Sequence, residues 1–162
     1  MTDIPFLDEW LDSALTVSVK TSGSTGEPKT MMVEKARMRA SALMTCDALG
    51  LQPGDTALLC MSTDYIAGKM MVVRAAERNL ALTVVRPSNR PLQGLTQPFD
   101  FIAMVPSQVY ETLLHPEEAA LLRQTRNLLI GGGAISKALH EALERLYATP
   151  GYKYNNVCKR ET

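Results

Sequence analysis

Residues 19–35 read VKTSGSTGEPKTMMVEK, with six small or hydroxyl residues between two runs that have the composition of strands. A single lysine, Lys29, ends the small-residue segment after Glu and Pro. The preceding LTVSVKT alternates apolar with polar residues, and the following TMMV is a short apolar run. The stretch therefore predicts an antiparallel hairpin in which residues 17–20 pair with residues 30–33 around a loop.

The composition of the loop is typical of an anion site. Its glycines let the backbone approach an anion, consecutive N–H groups can form an anion-binding concavity, and Lys29 adds positive charge. A Walker A loop is disfavoured, because Pro28 stands where that motif has glycine and because a strand-like run follows Lys29 instead of a helix. G-x-G-x-x-G also fails, since two residues separate Gly23 from Gly26 and no glycine stands two positions before Gly23. The residues alone leave open a phosphate loop or a flexible surface turn.

Strand-like and helix-like patterns alternate along the rest of the chain. Apolar strand patterns occur in TALLCM, LALTVVRP, FDFIAMV and RNLLIGGG. Helical spacing occurs in IPFLDEWLDSAL, EKARMRASALMTCDALG, DYIAGKMMVVRAAERN, PSQVYETLLHPEEAALLRQ and ISKALHEALERLY. Residues 87–98 are rich in proline and predict a connecting loop. This order predicts an α/β fold with a layered, largely parallel sheet flanked by helices, and with Met31, Met32, Met70 and Met71 in its core.

Composition argues against several classes of partner. The 162 residues suffice for one domain, and 17 scattered basic residues balance 17 acidic ones, so we expect neither nucleic acid nor a membrane surface as partner. No signal-peptide pattern or apolar run of roughly 20 residues is present, which predicts a cytoplasmic protein. Cys46, Cys60 and Cys158 fit neither a zinc site nor a redox pair and are interpreted as reduced. A homo-oligomer is left open.

TSGSTGEPK at residues 21–29 resembles the phosphate-loop signature of the adenylate-forming superfamily, which includes acyl-CoA synthetases, peptide-synthetase adenylation domains and luciferases. GDTALLCMSTDYIAGKMMVVRA, FDFIAMVPSQVYETLL and RNLLIGGGAISKAL resemble successive parts of that family's N-terminal domain. Within that superfamily, these stretches are most similar to the branch that acts on o-succinylbenzoate in menaquinone biosynthesis. The resemblance implies that a carboxylate and ATP form an acyl-adenylate and pyrophosphate, after which the acyl group passes to coenzyme A.

The resemblance also assigns the loop to the β- and γ-phosphates of ATP. Fixed donors, with Mg²⁺ as cofactor, suit this reaction because negative charge builds on the departing pyrophosphate. Lys29 is then the catalytic residue, and the residues that hold the phosphates are Thr21, Ser22, Gly23, Ser24, Thr25, Gly26 and Lys29.

The triple glycine in LLIGGGAISKAL predicts a strand, a turn and a helix that starts near Ser136. It is not a dinucleotide-binding fingerprint, because Ser136 stands where that motif has glycine or alanine. The residues alone leave open whether the turn binds a ligand. The resemblance implies that the adenine and the acyl group lie against Gly131, Gly132, Gly133 and Ala134, at the carboxyl end of a parallel strand.

STDYIAGKM is a third candidate site. A tyrosine at a junction between strand and helix is either a partly buried core residue or a ligand contact. The resemblance implies that this junction lines the pocket for the carboxylate substrate through Tyr65, Ile66, Ala67 and Gly68. The adjacent Lys69 is expected in solvent. No role is assigned to His115 or His140, and no residue is assigned as a metal ligand.

After LYAT the sequence departs from the family. Where the family has YGMTET or a close variant, this chain reads PGYKYNNVCKRET. The resemblance implies that the family motif supplies a threonine at the α-phosphate and a glutamate for magnesium. We therefore expect residues 1–149 to form a partial AMP-binding domain. Residues 150–162 are expected to form a divergent irregular tail, whose removal changes stability little.

Two hypotheses of different classes follow. The first is an adenylate-forming ligase of which this chain holds part of the active site. The second is a noncatalytic α/β chain that binds a nucleotide weakly or merely folds. A P-loop kinase or ATPase is disfavoured by Pro28 and by the strand predicted after Lys29.

Overall fold

The computed structural model describes residues 3–21, 26–148 and 153–156, the last of these by their backbone. Thirteen elements follow one another in this part of the chain. They are α1 (Pro5–Leu11), β1 (Thr16–Thr21), β2 (Lys29–Glu34), α2 (Lys35–Ala48), β3 (Thr56–Leu59), α3 (Ile66–Arg78), β4 (Ala81–Val84), β5 (Phe101–Met104), α4 (Pro106–Leu113), α5 (Pro116–Arg123), β6 (Asn127–Ile130), α6 (Lys137–Leu146) and β7 (Lys153–Asn156).

The first two strands form a separate antiparallel sheet. Its register pairs Val17 with Val33 and ends with Thr21 opposite Lys29. The predicted hairpin is therefore confirmed over its whole predicted length. Lys29 begins a strand and not a helix, which is the feature that separates this loop from a Walker A loop.

The other five strands form a parallel sheet in the order β4-β3-β5-β6-β7. Side chains of neighbouring residues in these strands face opposite layers. One face packs against the hairpin, α1, α2 and α3, through buried residues that include Ala57, Leu59, Phe101 and Ala103. The other packs against α4, α5 and α6, through Leu58, Ile102, Met104, Leu128 and Ile130. The predicted α/β fold, with a largely parallel sheet flanked by helices, is confirmed.

The connection between β4 and β5 is irregular, as its prolines predict. The single helix predicted over residues 106–124 is wrong in extent, because the structure has two helices there. The first ends at Leu113 and the second starts at Pro116. Proline suits the first turn of a helix but removes a backbone donor from a helix interior, which explains the break.

Residues 153–156 correct the expectation of an irregular tail. β7 pairs in parallel with β6, from Asn127 opposite Lys153 to Ile130 opposite Asn156. The expectation overlooked that any backbone can complete the unpaired edge of a sheet, whatever its side-chain periodicity. That the divergent segment begins at residue 150 remains a prediction.

The methionine prediction is confirmed for α3 and wrong for β2. Met70 and Met71 are buried, whereas Met31 and Met32 are 52% and 64% exposed. β1 buries Val17 and Val19 in the core, whereas β2 is exposed over most of its length. Cys46 and Cys60 are free, buried thiols. No helix in the described part of the chain has both the length and the apolar content needed to cross a bilayer.

Candidate functional site

Two adjoining cavities lie at the carboxyl edge of the parallel sheet, where β3, β5 and β6 end. This is the edge at which open α/β sheets generally bind ligands. The cavities have volumes of about 440 Å³ and 260 Å³ and share Met61, Ala67 and Gly132 in their linings. A ligand that fills one can therefore extend into the other.

The larger cavity has a partly polar lining. The hydroxyl-bearing residues Ser62, Tyr65 and Ser107 line it, and so do the small residues Gly132, Gly133 and Ala134. Tyr65 is 38% exposed, so its ring is available to a ligand. A lining that combines small residues with hydroxyl groups suits a flat, polar molecule.

The smaller cavity is apolar except for one charge. Its lining is Met61, Ile66, Ala67, Met70, Arg74, Ala103, Met104, Leu129, Gly131 and Gly132. The Nε atom of Arg74 is buried and has no hydrogen-bond partner, and one of its Nη atoms contacts only the sulfur of Met71, at 3.8 Å. Burial lowers the pKa of Arg74 below its ordinary value. No carboxylate of the described residues pairs with this guanidinium, so an anion in the cavity would offset its desolvation.

Sequence reasoning missed Arg74, although a signal was present. Ala67, Met70 and Arg74 are spaced by three and four residues on α3, and all three line the smaller cavity. An arginine on the same helical stripe as pocket residues is a candidate ligand contact. Arg74 follows an apolar run that predicts core residues, and this pattern conceals the signal.

The hairpin approaches the larger cavity at one point. Lys20 at the end of β1 forms an isolated parallel bridge with Tyr65. This bridge sets the start of the predicted phosphate loop beside the cavity. Thr21 is half-buried and donates from Oγ1 to the carbonyl of Lys29 at 3.5 Å, whereas Gly26 and Lys29 are exposed. Ser22, Gly23, Ser24 and Thr25 lie outside the described residues.

The triple glycine lies at the two cavities. Gly131 lines the smaller cavity, Gly132 lines both, and Gly133 and Ala134 line the larger one. Gly132 has φ 80°, a conformation that favours glycine, and the start of α6 follows. Ser136 caps that helix by accepting a hydrogen bond from the Leu139 amide at 3.2 Å.

The junction after β3 divides into cavity residues and a packing residue. Tyr65 lines the larger cavity, Ile66 the smaller and Ala67 both. Gly68 lines neither and is buried against the carbonyl of Ser62. The structure brings three of the four predicted substrate residues to the cavities and gives Gly68 a packing contact.

The expectation that Lys69 lies in solvent is wrong. It is buried, its ammonium lies 4.1 Å from the centre of the Phe6 ring, and its nearest carboxylate oxygen is on Glu9 at 3.7 Å. α1 covers this part of α3, which the local pattern of α3 cannot reveal. Lys69 therefore joins two helices and does not reach the cavities.

The described residues do not fit a magnesium site. Mg²⁺ requires oxygen ligands, usually with one or two carboxylates. Neither cavity lining contains an aspartate or glutamate, and no cluster of three potential metal ligands occurs in the described part of the chain. We therefore derive no step through a metal.

The sequence matches the profile of the family described as AMP-binding enzyme over residues 14–154. It is 30% identical over 142 residues to the Mycobacterium tuberculosis protein named Probable 2-succinylbenzoate–CoA ligase, an alignment that covers 83% of this chain. It is 27% identical over 136 residues to the 2-succinylbenzoate–CoA ligase of Bacillus mycoides.

A solved structure of high similarity is the acyl-CoA synthetase (AMP-forming)/AMP-acid ligase II-like protein from Dyadobacter fermentans. It superposes with a TM-score of 0.86 at 38% identity, over 96% of this chain and 44% of that chain. The chain spans 37% of the length of the Mycobacterium relative and 28% of that of the Bacillus relative.

Proposed function

Because the chain belongs to the AMP-binding enzyme family, we propose that it binds the nucleotide and the acid for an ATP-dependent carboxylate–CoA ligase that activates o-succinylbenzoate. In this reaction a carboxylate oxygen attacks the α-phosphorus of ATP, the bond to the bridging oxygen breaks, and pyrophosphate leaves. The sulfur of coenzyme A then attacks the acyl carbon and AMP leaves.

The observation that carries the choice of acid is the guanidinium of Arg74 in the smaller cavity. o-Succinylbenzoate has two carboxylates, of which adenylation consumes one. The other stays ionised and needs a cation if it is to leave water. An apolar cavity lined by one arginine, whose Nε is buried and has no hydrogen-bond partner, suits an aromatic ring that carries a carboxylate. The names of the Mycobacterium and Bacillus relatives support the same acid.

The two cavities suggest how the substrates are arranged. The ring occupies the smaller cavity, and the flexible succinyl arm extends past Ala67 and Gly132 into the larger one. There its carboxylate meets the α-phosphate of a nucleotide that lies against Gly133 and Ala134. The bridge between Lys20 and Tyr65 brings the start of the loop beside this cavity, where Lys29 can neutralise departing pyrophosphate.

The chain's own residues would act mainly by positioning. Arg74 would fix the ring, and the backbone of the glycine turn would let the adenylate approach closely. The apolar lining of the smaller cavity would strengthen this ion pair relative to one in water. Coenzyme A has no assigned residues in the described part of the chain.

Binding without chemistry is the second candidate. It is favoured by the absence of a YGMTET-like motif, the one to which the resemblance assigns the contacts at the α-phosphate and at magnesium. In that case the cavities hold the acid and the nucleotide, but no adenylate forms.

Two measurements on the purified 162-residue chain test the proposal. Calorimetric titration should detect binding of o-succinylbenzoate and of AMP. The exchange of labelled pyrophosphate into ATP, dependent on o-succinylbenzoate, should be undetectable because of the missing motif. Exchange above background would show that other residues replace that motif. Absence of o-succinylbenzoate binding would reject the proposed acid.

A further inference from the structure

The side-chain amide of Gln108 joins three segments of backbone at the cavity edge of the sheet. Its Oε1 accepts a hydrogen bond from the amide of Val105 at 3.1 Å. Its Nε2 donates to the carbonyl of Cys60 at 3.0 Å and to that of Ser88 at 2.9 Å. Both donor hydrogens and the acceptor oxygen are therefore used, and the residue is only 5% exposed.

These bonds lie where the main sheet begins to separate. β3 and β5 pair directly only from Ala57 to Leu58. Beyond that point the two strands are linked by the thiol of Cys60, which donates to the carbonyl of Ala103 at 3.3 Å, and by Gln108. The side-chain amide of Gln108 thus replaces a backbone hydrogen bond between the two strands where their direct pairing ends. Through Ser88 it also holds the segment that follows β4.

The next residues along both strands are walls of the larger cavity. Met61 and Ser62, which follow Cys60, form one wall, and Val105, Pro106 and Ser107, which follow β5, form a second. Gln108 itself is in the lining of neither cavity. It can therefore affect a ligand only through the walls that it holds.

We propose that Gln108 is a positioning residue that fixes the distance between the two walls of the larger cavity, and so sets its affinity for a flat polar ligand. The choice of AMP as that ligand rests on the proposed function. The effect on the walls does not, because it follows from the three hydrogen bonds alone.

A matched residue exists at the opposite edge of the same sheet. Asn127 is also a buried amide, and its Nδ2 donates to the carbonyls of Leu49 and Asp100 at 3.3 and 3.4 Å. Gln108→Met and Asn127→Leu each remove buried amide bonds and keep most of the side-chain volume. Both variants should lose stability, Gln108→Met by more because it loses more bonds, but only Gln108→Met removes bonds to the segments that continue into the cavity walls.

The test compares the two variants with the wild-type chain, at a temperature where all three are folded. We measure the dissociation constant for AMP by calorimetry and hydrogen exchange at the Val105 amide by NMR. Gln108→Met should weaken AMP binding about tenfold and speed exchange at Val105 at least as much, since that amide loses its partner. Asn127→Leu should change neither value appreciably.

Three results would overturn the inference. They are an unchanged AMP affinity in Gln108→Met, an equal loss of affinity in both variants, and wild-type exchange at Val105 in Gln108→Met. If the wild-type chain binds no AMP, nucleotide binding by the proposed function is rejected. Exchange at Val105, together with the NMR shifts of Met61, Ser62 and Ser107, then decides whether Gln108 holds the walls.

Discussion

Gly68 lies so close to Ser62 that a Cβ atom on the glycine would be 2.1 Å from the serine carbonyl oxygen. This contact lets the first turn of α3 pack against the turn after β3, which brings Tyr65 and Ala67 to the cavities. Gly68→Ala should force that backbone apart and destabilise the fold by roughly 1–3 kcal/mol. Thermal unfolding measures this loss.

Gly131→Ala is the matched control for this prediction. A Cβ at Gly131 meets no atom within 4 Å, so the variant should melt close to the wild-type temperature. Equal melting temperatures for Gly68→Ala and wild type would contradict the packing argument.

Lys35 is a buried ammonium that holds the end of α1. Its Nζ donates to the carbonyls of Glu9 and Asp12 at 2.7 and 3.1 Å and to the Asp12 carboxylate at 2.7 Å. Lys35→Met should lower the free energy of unfolding by about 1–2 kcal/mol through the lost bonds to the carbonyls. Lys137→Met, at an exposed lysine of α6, should leave stability unchanged.

The same contact predicts a pH dependence. The hydrogen bond from Lys35, assisted by that from the Ala14 amide, holds the pKa of Asp12 below its ordinary value of 3.8. Because the folded pKa is depressed, this contribution to stability is present above about pH 4 and is lost as the pH falls through the lowered value. NMR titration should show the Asp12 pKa moving upward in Lys35→Met. An unchanged titration would mean that the ion pair does not form in solution.

Cys60 should be inert in the folded protein. It is fully buried, and burial raises its pKa to about 12, so the reactive thiolate is roughly one part in 10,000 at pH 8. In a Cys158→Ser background, which leaves Cys46 and Cys60, a thiol reagent should react only as fast as the chain unfolds. Rapid labelling of Cys60 under native conditions would contradict the buried position of β3.

Because β7 pairs with β6, we expect the segment that contains β7 to contribute to stability. Deletion of residues 151–162 should lower the melting temperature by about 2–8 °C, because β6 loses a paired edge. Deletion of residues 158–162 keeps β7 and should have little effect. If both truncated chains melt like the full chain, the earlier expectation of an inessential tail is correct.

Much of the fold could be predicted from sequence because its signals are local. The alternation in residues 15–21 and the proline-rich connection at residues 87–98 each identify a structure without reference to distant residues. β7 could not be found in this way, because its four residues become a strand only by pairing with β6. Pro116 was a local signal for the break between α4 and α5, but the apolar pattern on both sides of it concealed this signal.

The candidate site was predicted in part, for a related reason. Motif resemblance identified the glycine turn and the junction at Tyr65, which the fold brings to adjoining cavities. It did not identify Arg74, for which the helical spacing with Ala67 and Met70 was the available signal. It could not identify Gln108, because the bonds of that residue to Cys60 and Ser88 join segments far away in the chain. Lys69 was misplaced for the same reason, since α1 covers it from more than fifty residues away.

The most direct test of the proposed acid site is a cycle of two ligands and two proteins, measured by calorimetry. The ligands are o-succinylbenzoate and 3-benzoylpropionate, which lacks the ring carboxylate, and the proteins are wild type and Arg74→Met. If the ring carboxylate pairs with Arg74 in this apolar cavity, Arg74→Met should bind o-succinylbenzoate about 10- to 100-fold more weakly than wild type and should bind 3-benzoylpropionate as wild type does. Equal binding of o-succinylbenzoate by both proteins would contradict the assignment of Arg74 to the second carboxylate.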